Sequence, residues 1–86
     1  MEGGKDPRLE VSRAVDHAIG GDWEAAHAIA QAHEGHEGAD WLHAVLHKIE
    51  GDTANARYWY RRTKHTFEDF VDPQAELISL KVSLIG

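Results

Sequence analysis

The chain of 86 residues holds 15 acidic and 9 basic side chains, a formal charge of −6 with its 7 histidines neutral, and is 42% hydrophobic. With 0 cysteines it has no disulfide framework, thiolate metal site or cysteine nucleophile. The acidic balance argues against a nucleic-acid binder, which needs excess Lys and Arg for phosphate, and the mixture of charged and apolar residues is that of one small globular domain.

Met1 to Pro7 lacks the basic stretch and apolar run of a signal peptide. No segment approaches the roughly 20 apolar residues of a membrane span. The expectation is a cytoplasmic protein without membrane contact, with a flexible N-terminus over 1–6 and a single domain over 7–86. Asp6-Pro7 opens the first predicted helix. Asp accepts from an orphan N–H, and Pro has no N–H to lose at the first position. Leu9, Val15 and Ile19, flanked by Val11 and Ala18, set its apolar stripe, and Gly20-Gly21 stops it. Asp22 caps a second helix with Trp23, Ala26, Ile29, Ala30 and His33 on one face, ended by Gly35 and Gly38. The polar stretch His33-Glu34-Gly35-His36-Glu37-Gly38 reads as a solvated connection.

The third helix is predicted over Ala39 to Glu50, with Trp41, Leu42, Val45, Leu46 and Ile49 inward, and Gly51 terminates it. Asp52 or Thr53 caps the fourth, where Ala56, Trp59, Tyr60, Thr63 and Phe67 form one buried stripe and Arg57, Arg61 and Lys64 an outer one. Asp72-Pro73 repeats the opening of the first helix. Ile78 to Leu84 alternates with the period of a strand, but its leucines also fit helical spacing. A helix is favoured, because no sheet is available to join and an open stack needs a cover for its last apolar face.

An internal repeat organises these elements. Ala14–Asp22 and Ala44–Asp52 share Ala, Val, His, Ile, Gly and Asp, 6 of 9 positions at an offset of 30. The predicted fold is therefore all-α: two stacked antiparallel helix hairpins (units 7–34 and 39–65) with a C-terminal capping element over 72–85. This near-minimal stack makes a homodimer through Leu77–Ile85 plausible.

At the Gly-Asp turns the pattern resembles tetratricopeptide-like repeats. Ala56 and Tyr60 match the small residue and following aromatic of the second helix of such a unit. Ala26 and Ala30 match the small residue alone. Ala14 and Ala44 match the small residue of the first helix, and His17 and His47 stand where Tyr is usual. A second resemblance covers Trp41-Leu42-His43-Ala44-Val45-Leu46-His47, Glu50-Gly51-Asp52, Asn55-Ala56 and Tyr58-Trp59-Tyr60-Arg61-Arg62. It is to a group of small uncharacterised bacterial and fungal helical proteins and implies no activity.

Helix-pair stacks present a groove for a protein or peptide, so the leading functional expectation is a non-enzymatic binding module. Asn55, Arg57, Tyr58 and Arg61 are the candidate contacts. Asp16, Glu24, Asp40 and Glu50 suggest an acidic face suited to a basic ligand. The alternative is a histidine-based metal site or a metal-dependent enzyme. His43 and His47, four apart, share a helix face with Glu50; Glu24 and His27 have the spacing of carboxylate-bundle ligands. Zn, or Fe or Mn, would then be held by His27, His43 and His47 with Glu24 or Glu50. Against this stands a packing role for His17 and His47 at equivalent repeat positions. Nucleic acid is not expected at the basic stripe, because Trp59 and Tyr60 lie on the predicted core face.

Overall fold

The computed structural model describes residues 6–85. They form α1 (Pro7–Ile19), α2 (Trp23–Ala32), α3 (Glu37–Glu50), α4 (Thr53–Tyr60), a 3-10 turn (Phe67–Asp69) and α5 (Pro73–Ile85), with no strand among them. Of the predicted flexible segment only Asp6 is described, and its side chain accepts from the Arg8 amide at 2.9 Å to cap α1; residues 1–5 lie outside the described residues.

The repeat is visible as one turn built twice. Gly21 and Gly51 carry φ of 89° and 88°, the left-handed conformation that only glycine adopts without strain. The Asp22 amide donates to the His17 carbonyl at 2.8 Å and the Asp52 amide to the His47 carbonyl at 2.9 Å. The two carboxylates then cap the next helices, accepting from Ala25 at 3.2 Å and Asn55 at 3.1 Å. Ala14 and Ala44, and Ala26 and Ala56, are fully buried where each pair of helices meets.

α3 is the central element and packs against α1, α2, α4 and α5. Gly38 to His47 are buried without interruption, as befits a helix covered on every side. α1 has fewer neighbours and leaves an outer face. Its stripe is turned from the predicted one: Val11, Ser12, Ala14, Val15 and Ala18 are buried, while Leu9 and Ile19 are 59% and 39% exposed. Ile49 is likewise exposed, since it lies beyond the part of α3 that its neighbours cover.

Three boundaries differ from the sequence reading. α2 ends at Ala32, and Gly38 stops nothing; it lies inside α3, which the His36 ring caps by accepting from the Ala39 amide. A Cβ on Gly38 would come within 2.8 Å of Leu84 Cδ2, so its smallness serves the crossing of α5. α4 ends at Tyr60, where the amide and hydroxyl of Thr63 both donate to the Tyr60 carbonyl and turn the chain. Phe67 therefore reaches the core from the 3-10 turn and not from α4.

The C-terminal element is a helix. Asp72 caps it through the Gln74 amide at 2.9 Å, and Leu77, Leu80 and Leu84 pack it against α1 and α3. The homodimer face expected over Leu77–Ile85 thus loses its three leucines to the chain's own core; Ile78, Val82 and Ile85 remain exposed. Helix α5 also brings in Glu76, which is fully buried. Its carboxylate accepts from Trp41 Nε1 at 2.9 Å, Tyr60 Oη at 2.7 Å and Lys48 Nζ at 2.9 Å. Lys48 Nζ completes its shell on the carbonyls of Phe67 and Phe70, both at 2.8 Å. Every member of this network is satisfied, which makes a buried ion pair tolerable. Burial and the Glu76 carboxylate push the Tyr60 phenol well above its ordinary range.

Candidate metal centre

α2 and α3 bring three imidazoles together. His43 and His47 lie one turn apart on α3, and His27 faces them from α2. Their ring centroids are 4.7 Å (His27–His43), 5.4 Å (His27–His47) and 5.0 Å (His43–His47) apart. One nitrogen of each lies within 4.8 Å of the other two; His43 and His47 are buried and His27 is half-buried.

Two indoles wall the cluster. Trp23 stacks on His27 at 4.6 Å and is fixed by its Nε1–H, which donates to the Leu46 carbonyl at 2.8 Å. Trp59 of α4 stacks on His43 at 3.8 Å with ring planes 12° apart. The role of Trp23 was available in the sequence, since it precedes His27 by four residues and so shares its helix face. That of Trp59 was not, because it depends on how α4 lies on α3.

The protonation states suit a ligand set. Burial, reinforced by repulsion from His27 and His47, lowers the His43 pKa to about 4. His27 is lowered by burial and by His47, against a smaller opposing pull from Glu50. Both rings are neutral at pH 7 and present a lone pair. His47 Nδ1 is hydrogen-bonded to the Glu50 carboxylate. With the carboxylate as acceptor, Nδ1 is the donor of this bond and Nε2 is the nitrogen left outside it. His43 Nδ1 is buried and has no hydrogen-bond partner, an uncommon state that calls for a physical reason.

The other candidates separate from this cluster. Glu50 and Asp52 gather at His47, forming a second group that does not include His27 or His43. Glu24 is exposed and belongs to neither group. His17, expected to pack as His47 does, is exposed near Asp22. Its repeat equivalent is covered by α2 of the first hairpin, and no element among the described residues covers His17 in the same way. His65 stacks on Trp41 at 3.6 Å. The expected acidic face is dispersed: Asp16 pairs with Lys81, Asp40 is buried beneath Gly35 and Arg62, and Glu50 turns to His47.

Of the proposed peptide contacts, Arg57 and Arg61 line one cleft at the end of α4, while Asn55 and Tyr58 lie outside it. Asn55 is half-buried at the start of α4, and Tyr58 is exposed, edge-on to Trp59. No helix among the described residues is long and apolar enough to cross a membrane. Comparison with family models, curated proteins and solved structures finds no match for this chain.

Proposed function

We propose that the protein binds a divalent transition metal, zinc above the others, through His27, His43 and His47. The observation that carries this reading is the convergence of three imidazole nitrogens to within 4.8 Å of one another in a largely buried setting. Zn–N bonds of about 2.0–2.1 Å in a tetrahedral shell set nitrogens about 3.3 Å apart. Closing on the ion therefore takes ring-tip movements on the order of 1 Å, within reach of small side-chain rotations.

An all-imidazole set favours zinc, with copper and nickel as competitors; manganese prefers carboxylates, and the common non-haem iron site needs one among its ligands. Glu50 is better placed as the partner that holds His47 than as a ligand. A carboxylate on the far nitrogen fixes the tautomer and raises the basicity of the ligating one. Three protein ligands leave a fourth position for water or an exogenous group.

The test is elemental analysis of tag-free protein, with zinc titration by calorimetry. One zinc per chain is expected. His27→Ala, at the least buried ligand, should abolish stoichiometric binding while leaving the far-ultraviolet dichroism intact. Glu50→Gln should weaken binding by about ten- to a hundredfold. No bound metal and no thermal shift with Zn, Cu or Ni would overturn the reading.

A further inference from the structure

Away from the histidines, positive charge is gathered in one place. Arg57, Arg61, Arg62 and Lys64 are 4 of the 9 Lys and Arg residues of a chain whose net charge is −6. Two of them are occupied. Arg57 pairs with Glu68 and lies 4.5 Å over the Phe67 ring. Arg62 lies 3.7 Å from Asp40 and 5.1 Å over Trp59.

Arg61 and Lys64 differ. Both are exposed, and neither forms an ion pair among the described residues. Glu37 approaches the Lys64 backbone amide at 3.4 Å and makes no ion pair with its ammonium. Both cations line an open cleft of about 380 Å³ between the end of α4 and the 3-10 turn, together with Thr63, Thr66, His65, Phe67 and Glu68, whose carboxylate is held by Arg57.

We propose that this cleft binds an acidic peptide segment, seating one carboxylate or phosphate side chain between Arg61 and Lys64. The free cations supply charge-assisted hydrogen bonds; the Thr63 and Thr66 hydroxyls already donate to the Tyr60 carbonyl and the Asp69 carboxylate, which leaves the anion to the two cations. Size and charge select a short segment over a nucleic acid. The cleft accommodates one or two side chains, and a longer polyanion would run onto a surface dominated by acidic residues. Trp59 and Tyr60 are buried, and Tyr58, the exposed aromatic of this stretch, lies outside the cleft. The site shares no residue with the histidine cluster and stands whether or not the metal reading holds.

The experiment is a titration of the isotopically labelled full chain followed by amide NMR. The probes are a glutamate-rich octapeptide, the same peptide with a central phosphoserine, inorganic phosphate, and a single-stranded oligonucleotide of matched charge. Both peptides should produce saturable shifts confined to residues 57–68, the phosphorylated one binding at least as tightly. Arg61→Glu with Lys64→Glu should weaken them at least tenfold without changing the helical dichroism. Arg8→Glu with Arg13→Glu, on α1, should leave them unchanged. The proposal is overturned if neither peptide saturates or if the charge reversal has no effect. It is also overturned if phosphate alone matches the phosphopeptide, or if the oligonucleotide binds more tightly than either peptide.

Discussion

The two hairpins share a turn and diverge in what surrounds it. At the first turn, Gly21 and Asp22 join helices whose outer sides face solvent, and His17 is exposed. At the second, Gly51 and Asp52 repeat the same backbone and cap, yet His47 is buried among Trp23, His27 and His43. The difference is position in the stack. α3 lies between α2 and α4 and is met by α1 and α5 as well, whereas among the described residues no helix covers the face of α1 that carries His17. A repeated sequence therefore supplied the same local structure twice and a buried histidine cluster once.

The largest way to break this asymmetry is to unfasten the cover of the second hairpin. Glu76→Ala leaves Lys48, Trp41 and Tyr60 facing a buried gap, and removing one partner of a buried ion pair costs about 3–5 kcal/mol. Urea unfolding should show that loss, with Lys48→Met in the same chain recovering part of it. A cost below about 1 kcal/mol would mean that α5 is held by its leucines alone.

Acid should act on the second hairpin next. His43 stays neutral in the folded state down to about pH 4, while in the unfolded chain it takes up a proton below about 6.5. The folded pKa is depressed, so the unfolded state binds more protons as pH falls through that window. This contribution is fully present above pH 6.5 and falls by about 2 kcal/mol by pH 5 and about 3 kcal/mol by pH 4. Metal-free protein unfolded in urea at pH 7 and pH 5 measures it. His43→Phe, which keeps a ring against Trp59, should flatten that dependence. His17→Ala should not.

The smallest effect sharpens the similarity. Gly21→Ala and Gly51→Ala each force alanine into the left-handed region, at about 1–2 kcal/mol. Open space surrounds both positions, so no clash adds to the strain. The two costs should agree within about 0.5 kcal/mol; a clear inequality would show that the turns are not equivalent.

Much of this was legible in the sequence. The helix caps at Asp6, Asp22, Asp52 and Asp72, the glycine turns and the repeat are local signals, and they placed four helix starts correctly. His27, His43 and His47 were grouped by helix spacing and by the adjacency of α2 and α3. What could not be read depends on contacts between distant segments. The Glu76 carboxylate meets Trp41, Lys48 and Tyr60 across separations that no periodicity encodes. The alternating Ile78–Leu84 pattern fitted strand and helix alike, and only the packing of Leu77, Leu80 and Leu84 on α1 and α3 decides it. His17 and His47 looked equivalent because the repeat equates their sequence and cannot register that one hairpin comes first.

The most direct test of the account separates the histidines by role. Imidazole nitrogen resonances of the full chain, recorded while zinc is added to one equivalent, report each ring individually. The account predicts that His27, His43 and His47 move to metal-bound shifts together and saturate at one zinc per chain, while His17, His33, His36 and His65 stay in place. Zinc that first perturbs the exposed histidines, or leaves His43 unchanged at saturation, would contradict it.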